Sequence, residues 1–120
     1  MLRAARRLGD RLVVLLNSDA SVRRLKGARR PFVDEGDRER VLRALACVDD
    51  VVLFDDDTPV RALERLRPEI FVKGADYRGQ HLPEADAVAT WGGRVVVVPY
   101  LAGRSTSALA EEVFHVVEWT

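Results

Sequence analysis

The sequence predicts an α/β fold in which a parallel sheet carries helices on both faces. Short apolar runs of strand length alternate with segments of helical periodicity, and the connections between them are short. The four consecutive valines at 95–98 are typical of a strand covered on both faces. The chain has 120 residues, 48% of them hydrophobic and 32% charged, which is ordinary globular composition. We therefore expect residues 1–120 to form a single domain.

The first half of the chain alternates between the two kinds of segment. In order, we predict the last turns of an amphipathic helix over 2–8, a strand over 11–16, a short helix over 21–25, a helix over 34–48 and a strand over 51–54. The helix over 34–48 is the clearest of these, because Val41, Leu42, Leu45 and Val48 recur at helical spacing.

The second half continues the alternation. We predict a helix over 59–66, a strand over 70–72, a helix over 83–91 that Gly92 and Gly93 close, and a strand over 94–98. A last helix is expected to begin at the hydroxyl cluster 105–107, and its apolar positions are Leu109, Val113 and Val116.

The junction between the last predicted strand and helix is a candidate anion site. Ser105, Thr106 and Ser107 are N-cap residue types, and Arg104 precedes them. The free N–H groups of a helix's first turn, placed at the carboxyl end of a strand, bind anions in open α/β sheets. The alternative is an ordinary capped helix with a surface arginine, and this stretch alone does not separate the two.

Polar clusters follow three of the predicted strands, at 17–19, 73–76 and 104–107. In a parallel sheet these positions share one edge. Cations that could surround a polyphosphate there are Lys26, Arg29, Arg30, Arg38, Lys73 and Arg104. We favour a solvated loop for Arg29 and Arg30. Arg38 is the stronger candidate, because a cation that begins a helix faces the unfavourable end of the dipole unless an anion is present.

The remaining polar candidates have plainer alternatives. Asp76 is placed to bind a substrate hydroxyl or a magnesium ion, but it could equally be a turn residue. His81 and His115 lack metal-ligand spacing, so we interpret His81 as a loop residue and His115 as part of the terminal helix.

Charge and cysteine usage exclude several classes of function. The formal net charge is +0, with 19 basic and 19 acidic side chains, so no global field draws the chain to nucleic acid or to an anionic membrane. Cys47 is the only cysteine and lies in an apolar helical pattern, which favours a packed core thiol over a disulfide or a zinc site. No apolar run reaches the length of about 20 residues that spans a bilayer. We expect a cytoplasmic protein without nucleic-acid or membrane partners and without a protein-bound metal.

An ordered set of short motifs gives the chain a specific resemblance. The motifs are Asn17-Ser18-Asp19, Arg24-Leu25-Lys26-Gly27, Arg30-Pro31, Asp37-Arg38, Asp57-Thr58-Pro59, Val72-Lys73-Gly74-Ala75-Asp76-Tyr77, Gly92-Gly93 and Gly103-Arg104-Ser105-Thr106-Ser107. Together they resemble the D-glycero-β-D-manno-heptose 1-phosphate adenylyltransferase domain, one of the cytidylyltransferase-like nucleotidyltransferases, over residues 9–113. The resemblance implies a Rossmann-like fold and transfer of AMP from ATP to a sugar 1-phosphate with release of pyrophosphate. It also implies Mg²⁺ bridging the ATP phosphates.

The resemblance carries roles onto individual residues. It assigns catalysis to Arg38, Lys26 and Arg104, nucleotide or phosphate binding to Arg104, Ser105, Thr106, Ser107, Lys73 and Gly74, and substrate binding to Asn17, Asp19 and Asp76. Lys26 matches a loop that closes over the phosphates, and Arg38 matches an arginine facing the active site. Ser107 stands where threonine is more usual, and it keeps the hydroxyl.

One element of the family pattern has no counterpart in this sequence. The family begins with a central strand and a loop bearing His-x-Gly-His, whereas this chain begins within the helix that follows them. We therefore interpret the chain as an N-terminally truncated domain that is a very poor catalyst by itself. The missing strand is expected to expose an apolar edge beside Val13, which would invite pairing with another chain. A homo-oligomer is accordingly one expected state.

Two alternatives to the adenylyltransferase stay open. One is a cytidylyltransferase that uses CTP and an alcohol phosphate such as glycerol 3-phosphate. The other is a non-catalytic nucleotide-binding or assembly module, which absence of the histidine motif favours and retention of the cationic set opposes. The expected partners are ATP, a sugar phosphate, and a fused or separate sugar kinase.

Overall fold

The computed structural model describes residues 2–29, 33–74, 82–98 and 114–119. Its helices are α1 (Leu2–Arg6), α2 (Asp19–Lys26), α3 (Glu35–Ala44), α4 (Val60–Leu66) and α5 (Pro83–Ala89). Its strands are β1 (Arg11–Asn17), β2 (Asp50–Phe54), β3 (Ile70–Gly74), β4 (Arg94–Val98) and β5 (Phe114–Trp119). The predicted alternation of strands and helices is confirmed up to β4. None of the helices in these ranges is long and apolar enough to cross a membrane.

The five strands form one sheet in the order β2-β1-β5-β3-β4. The pairs β1–β2 and β3–β4 are parallel, whereas β5 is antiparallel to both of its neighbours, β1 and β3. Four strands therefore point in one direction, as predicted for a parallel sheet, and β5 alone points the other way. β5 joins the two parallel pairs into a single sheet.

The position of β5 corrects two expectations. Val116 and His115 were expected in a terminal helix, but both lie in this strand. The edge beside Val13 is not exposed, because Val13 pairs with Val117 of β5. The segment combines β-branched and aromatic residues, which favour a strand, and it finds hydrogen-bonding partners on both sides in β1 and β3. The preceding part of the predicted helix, over 105–113, lies outside the described residues.

Helices cover both faces of the sheet, as the sequence predicted. Leu12, Val14 and Leu16 of β1 enter one core cluster, which also takes residues from α1 and α3. Leu15 enters a second cluster with residues of β3, α4 and α5. Side chains that alternate along β1 thus point to opposite faces, and both faces are buried. Cys47 is a partly buried free thiol packed against the first cluster, in agreement with a core role.

Helix α3 is shorter than the predicted 34–48. At Leu45 the backbone becomes extended, with φ −77° and ψ 132°, and the chain turns towards β2. Leu42 and Val48 are buried, but Val41 and Leu45 are 43% and 38% exposed. The spacing of the four apolar residues therefore predicted the helix correctly. It predicted the wrong length and the wrong buried face, because Val48 reaches the core from the turn after α3 and Val41 is exposed.

Strand β4 lies at an edge of the sheet, where it pairs with β3. The run of valines was expected to be covered on both faces, yet Val97 is 44% exposed. Valine is favoured in strands because its branched side chain fits the pleated surface, at an edge as well as in the centre. The run indicates a strand and does not indicate its place in the sheet.

Candidate functional site

The candidate site lies at the carboxyl edge of the parallel strands. β1 ends at Asn17 and β3 ends at Gly74, and both strands are antiparallel to β5, so their carboxyl ends lie at the same edge. Open α/β sheets bind ligands at this edge. Five of the predicted site residues fall outside the described residues, namely Asp76, Arg104, Ser105, Thr106 and Ser107. The site is therefore built here from the β1–α2 turn, the start of α3, and the end of β3.

The turn from β1 into α2 is held by a chain of buried hydrogen bonds. The Ser18 hydroxyl accepts a bond from the Ser21 backbone N–H at 3.1 Å and so caps α2. The Asn17 side-chain amide donates to the Ser21 hydroxyl at 3.0 Å, and that hydroxyl donates to the Asp56 carbonyl at 2.8 Å. The side-chain oxygen of Asn17 is buried and has no hydrogen-bond partner among the described residues.

Arg38 connects this turn to α3. Its side chain is fully buried, and it donates to the Val33 carbonyl at 3.0 Å, the Asn17 carbonyl at 2.8 Å and the Asp19 carboxylate at 2.8 Å. The Asp19 backbone N–H in turn donates to the Glu35 carboxylate at 3.0 Å. A cation in the first turns of a helix is unfavourable unless an anion is near, and the carboxylate of Asp19 is that anion. Arg38 fixes the turn that carries Asn17 and Asp19; its assignment to catalysis stays a prediction.

Lys73 lies near the carboxyl end of β3 in a buried ion pair. Its ammonium is 3.1 Å from the Glu84 carboxylate, and the two side chains are 12% and 3% exposed. Glu84 belongs to the first turn of α5, where a negative charge is also favoured by the helix dipole. The second oxygen of Glu84 is buried and has no hydrogen-bond partner among the described residues. A charged lysine is thus held at the edge of the sheet where the sequence predicted a phosphate ligand.

Lys26 lies at the other end of α2 from Asp19. The helix has eight residues, and at 1.5 Å per residue it separates its two ends by about 12 Å. Lys26 and Arg29 are both exposed. Beside them, a hydrogen bond to Asp57 raises the pKa of the Arg24 guanidinium above its ordinary value. The described structure does not bring Lys26 into the buried cluster at the β1 end, and it agrees with a solvated Arg29.

Two residues that hold the site together, Ser21 and Glu84, were not predicted from the sequence. Ser21 connects Asn17 to the loop after β2, and nothing in the sequence marks it. Glu84 lies four residues before Val88, and both are buried, so they share the inner face of α5. A carboxylate at an apolar helix position was therefore the available signal.

The described residues contain no group of three or more acidic, histidine or cysteine side chains arranged to hold a metal ion. The carboxylate of Asp19 is engaged with Arg38, and that of Glu84 is engaged with Lys73. These carboxylates are therefore placed to neutralise cationic side chains.

A family model described as cytidylyltransferase-like matches residues 1–101 of the chain. The chain is also similar to proteins named bifunctional protein HldE. Identity is 62% over 109 residues with that of Streptomyces coelicolor, 56% over 109 residues with that of Magnetococcus marinus and 50% over 114 residues with that of Trichlorobacter lovleyi. These matches cover 91%, 91% and 95% of this chain but 24%, 22% and 23% of the relatives. The chain thus spans about a quarter of their length.

Among solved structures, the fold is similar to a crystal structure titled the lipopolysaccharide core biosynthesis protein, from Thermoplasma volcanium. The TM-score is 0.65 at 26% sequence identity, and the match covers 83% of this chain and 80% of that one. The similarity supports the α/β architecture over most of the chain.

Proposed function

Because the chain belongs to the cytidylyltransferase-like family, we propose that it is a nucleotidyltransferase that transfers AMP from ATP to a sugar 1-phosphate of the heptose type. In this reaction a phosphate oxygen of the sugar 1-phosphate forms a bond to the α-phosphorus of ATP. The bond from that phosphorus to the bridging oxygen of the β-phosphate breaks, and pyrophosphate leaves with the bonding electrons. The reaction needs charge stabilisation and alignment, and it needs no covalent enzyme intermediate.

One observation carries the proposal. Lys73 and Asn17, which the resemblance assigns to nucleotide and substrate binding, lie at the same carboxyl edge of the sheet. The side chain of Lys73 is 12% exposed, and its ammonium is proposed to neutralise phosphate charge. The high identity to the bifunctional proteins HldE, in the part that the chain shares with them, supports the same conclusion.

The residues around this edge are proposed to have different roles in binding the two substrates. Arg38 orients Asn17 and Asp19 through one hydrogen bond to each, and a third hydrogen bond joins it to the Val33 carbonyl. Asn17 and Asp19 are proposed to contact the acceptor. Lys26 and Arg104, with the hydroxyls 105–107, are proposed to bind the triphosphate.

Magnesium is proposed to enter with ATP. Mg²⁺ is usually held by substrate phosphates and only one or two carboxylates, and the described residues form no separate metal cluster. Bound to the nucleotide, it would neutralise charge on the phosphates. Asp76 is the carboxylate that we propose lies nearest to it.

The direct test is an assay of nucleotide transfer. Purified chain is incubated with ATP, Mg²⁺ and heptose 1-phosphate, and the sugar nucleotide and pyrophosphate are measured together. The same assay with CTP and glycerol 3-phosphate tests the alternative substrates. A donor to the transferring phosphate is worth on the order of 10²–10³-fold in rate, and the family resemblance assigns this role to a His-x-Gly-His segment, which these 120 residues do not contain. A version preceded by a strand and a His-x-Gly-His segment should be faster.

A matched version of the extended chain carries alanine in place of both added histidines. It should fold and bind ATP as the extended chain does, and it should lack the gain in rate. If the extended chain binds ATP but transfers no nucleotide to any sugar phosphate, the adenylyltransferase proposal fails. A non-catalytic nucleotide-binding module would then be the better description.

We further propose a cytoplasmic location and a sugar kinase as the functional partner, fused or separate. The partner would supply the phosphorylated sugar that this reaction consumes. The relatives are about four times as long as the matched segment and are named bifunctional, which supports a second activity in those proteins.

A further inference from the structure

We propose that Glu84 is a positioning residue that holds the ammonium of Lys73 ready for the phosphates of a bound nucleoside triphosphate. The inference rests on the proposed function, because it concerns the same edge of the sheet. It adds a residue that neither the sequence motifs nor the family resemblance assigned to the site.

The geometry of the pair supports a role in the site. Glu84 is the more buried partner, with 3% of its side chain exposed against 12% for Lys73. Lys73 is therefore the more accessible member of the pair, and Glu84 is the member that is more deeply buried. An ammonium has three N–H donors, so a bond to Glu84 at 3.1 Å and a bond to a phosphate oxygen are compatible.

Placement along the chain points the same way. Lys73 is close to the end of β3 and Glu84 is in the first turn of α5, so the pair connects the two ends of the segment 75–81. That segment contains Asp76, a predicted substrate ligand. The pair therefore fixes the end of β3 relative to the start of α5.

Stability alone is a weak reason for such a pair. Removing two charges from water costs much of what their attraction returns, and a buried pair is often no more stabilising than apolar residues of the same size. The second oxygen of Glu84 is buried without a partner among the described residues, which adds to that cost. The pair instead restricts the Lys73 side chain to one conformation. A free lysine side chain has many rotamers, and ordering it on binding costs entropy. Because Glu84 orders it beforehand, ligand binding does not have to include that cost.

The test compares the affinities of variants for ATP and for adenosine by titration calorimetry, with the whole chain. Lys73→Ala should weaken ATP binding about ten-fold or more, because a charge-assisted hydrogen bond is lost. Glu84→Ala should weaken it by about 3- to 10-fold by the same measure. Glu84→Gln should recover most of the affinity, because its amide oxygen can accept the same hydrogen bond. Adenosine, which has no phosphate, should bind all four proteins equally.

A double variant shows whether Glu84 acts through Lys73. In the Lys73→Ala background, Glu84→Ala should have no further effect on ATP affinity. Glu64→Ala is the matched control, because it removes an exposed carboxylate from α4 and should leave ATP affinity unchanged. If Glu84→Ala does not fold, Glu84→Asp replaces it, since its carboxylate is one methylene too short to reach Lys73.

The outcomes separate the inference from the proposed function. Equal ATP affinity of the wild type and Glu84→Ala, or equal losses for ATP and adenosine, would overturn the positioning role and leave the proposed function standing. If Glu84→Ala loses ATP affinity but the extended chain transfers no nucleotide, the positioning role stands and the proposed function is overturned. A wild-type chain that binds neither ATP nor pyrophosphate would overturn both.

Discussion

Arg38 is the largest fully buried side chain in the described part of the protein, and its charge is matched by hydrogen bonds on three sides. A buried guanidinium is costly unless its donors are satisfied. Here the acceptors are two backbone carbonyls and the Asp19 carboxylate, which lie before α3, at the end of β1 and at the start of α2. One side chain thus determines how the end of β1, the start of α2 and the start of α3 fit together.

We expect Arg38→Met to destabilise the protein by about 3–5 kcal/mol, because it leaves the carboxylate of Asp19 and a buried carbonyl without their partner. The measurement is the free energy of unfolding from urea denaturation. Arg40→Met is the matched control on the same helix: Arg40 is exposed and pairs with the exposed Asp37, so the urea midpoint should hardly change. Equal midpoints for the two variants would show that the buried cluster does not hold the fold together.

At this scale the sequence indicated candidate charged residues, but it did not indicate which residues they contact. The position of Arg38 near the start of a helix led to the prediction of a phosphate ligand, whereas the anion beside it in the structure is the carboxylate of Asp19, 19 residues away in the sequence. The sequence likewise did not show that Glu84 pairs with Lys73, because the packing of α5 on the sheet brings the two side chains together. Contacts across the sheet depend on tertiary structure, and local spacing does not contain them.

At the scale of elements, the turn from α5 into β4 shows how closely the chain is packed. The backbone N–H of Gly93 donates to the Val88 carbonyl at 2.8 Å, and the Trp91 indole donates to the Pro68 carbonyl at 2.8 Å. A Cβ atom on Gly93 would lie 2.8 Å from the Pro68 carbonyl oxygen, which is closer than packed atoms approach. The helix stop that the sequence predicted at Gly92 and Gly93 therefore has a steric basis.

We expect Gly93→Ala to destabilise the protein by about 1–3 kcal/mol, because the backbone of the turn has to move to accept the methyl group. Thermal unfolding followed by circular dichroism measures the change. Gly36→Ala is the matched control, because its Cβ would lie 3.4 Å from the nearest atom, a normal contact, inside α3. It should raise stability by about 0.5–1 kcal/mol through helix propensity. A rise in melting temperature for both variants would mean that the close approach at Gly93 is relieved at no cost.

The elements themselves were largely predictable, because apolar periodicity and turn residues are local signals. The strands over 11–17, 50–54, 70–74 and 94–98 all match predicted runs. The errors concern position: the edge location of β4, the exposure of Val41 and the strand at 114–119. Each depends on which neighbour an element meets, and for β5 the pairing with β1 and β3 overrides a helical spacing that is equally present in the sequence.

At the scale of the whole molecule, the sheet consists of two parallel pairs joined by one antiparallel strand. Val116 of β5 pairs with Val14 on one side and with Val72 on the other. Both core clusters include residues of these neighbouring strands, so a fault in β5 affects both faces. The stability of the sheet as a unit therefore depends on six residues.

Val116→Pro should abolish cooperative folding, because proline removes a ladder hydrogen bond and does not fit within a central strand. The expected result is loss of the cooperative thermal transition and of slow amide exchange in β1 and β3. Val97→Pro, on the edge strand β4, should cost less, since that strand pairs with β3 on one side. A cooperative transition in Val116→Pro close to that of the wild type would contradict the bridging role of β5.

The same arrangement constrains the order in which the protein folds during synthesis. The β1–β5 ladder joins residues as far apart as Arg11 and Trp119, whereas each parallel pair forms within a much shorter stretch. A ribosome releases β5 after the other four strands of the described sheet, so the inner edges of β1 and β3 have no partner in this sheet until β5 emerges. Such edges are templates for pairing with other chains. We therefore expect aggregation in the cell to depend on how quickly residues 114–119 follow β4.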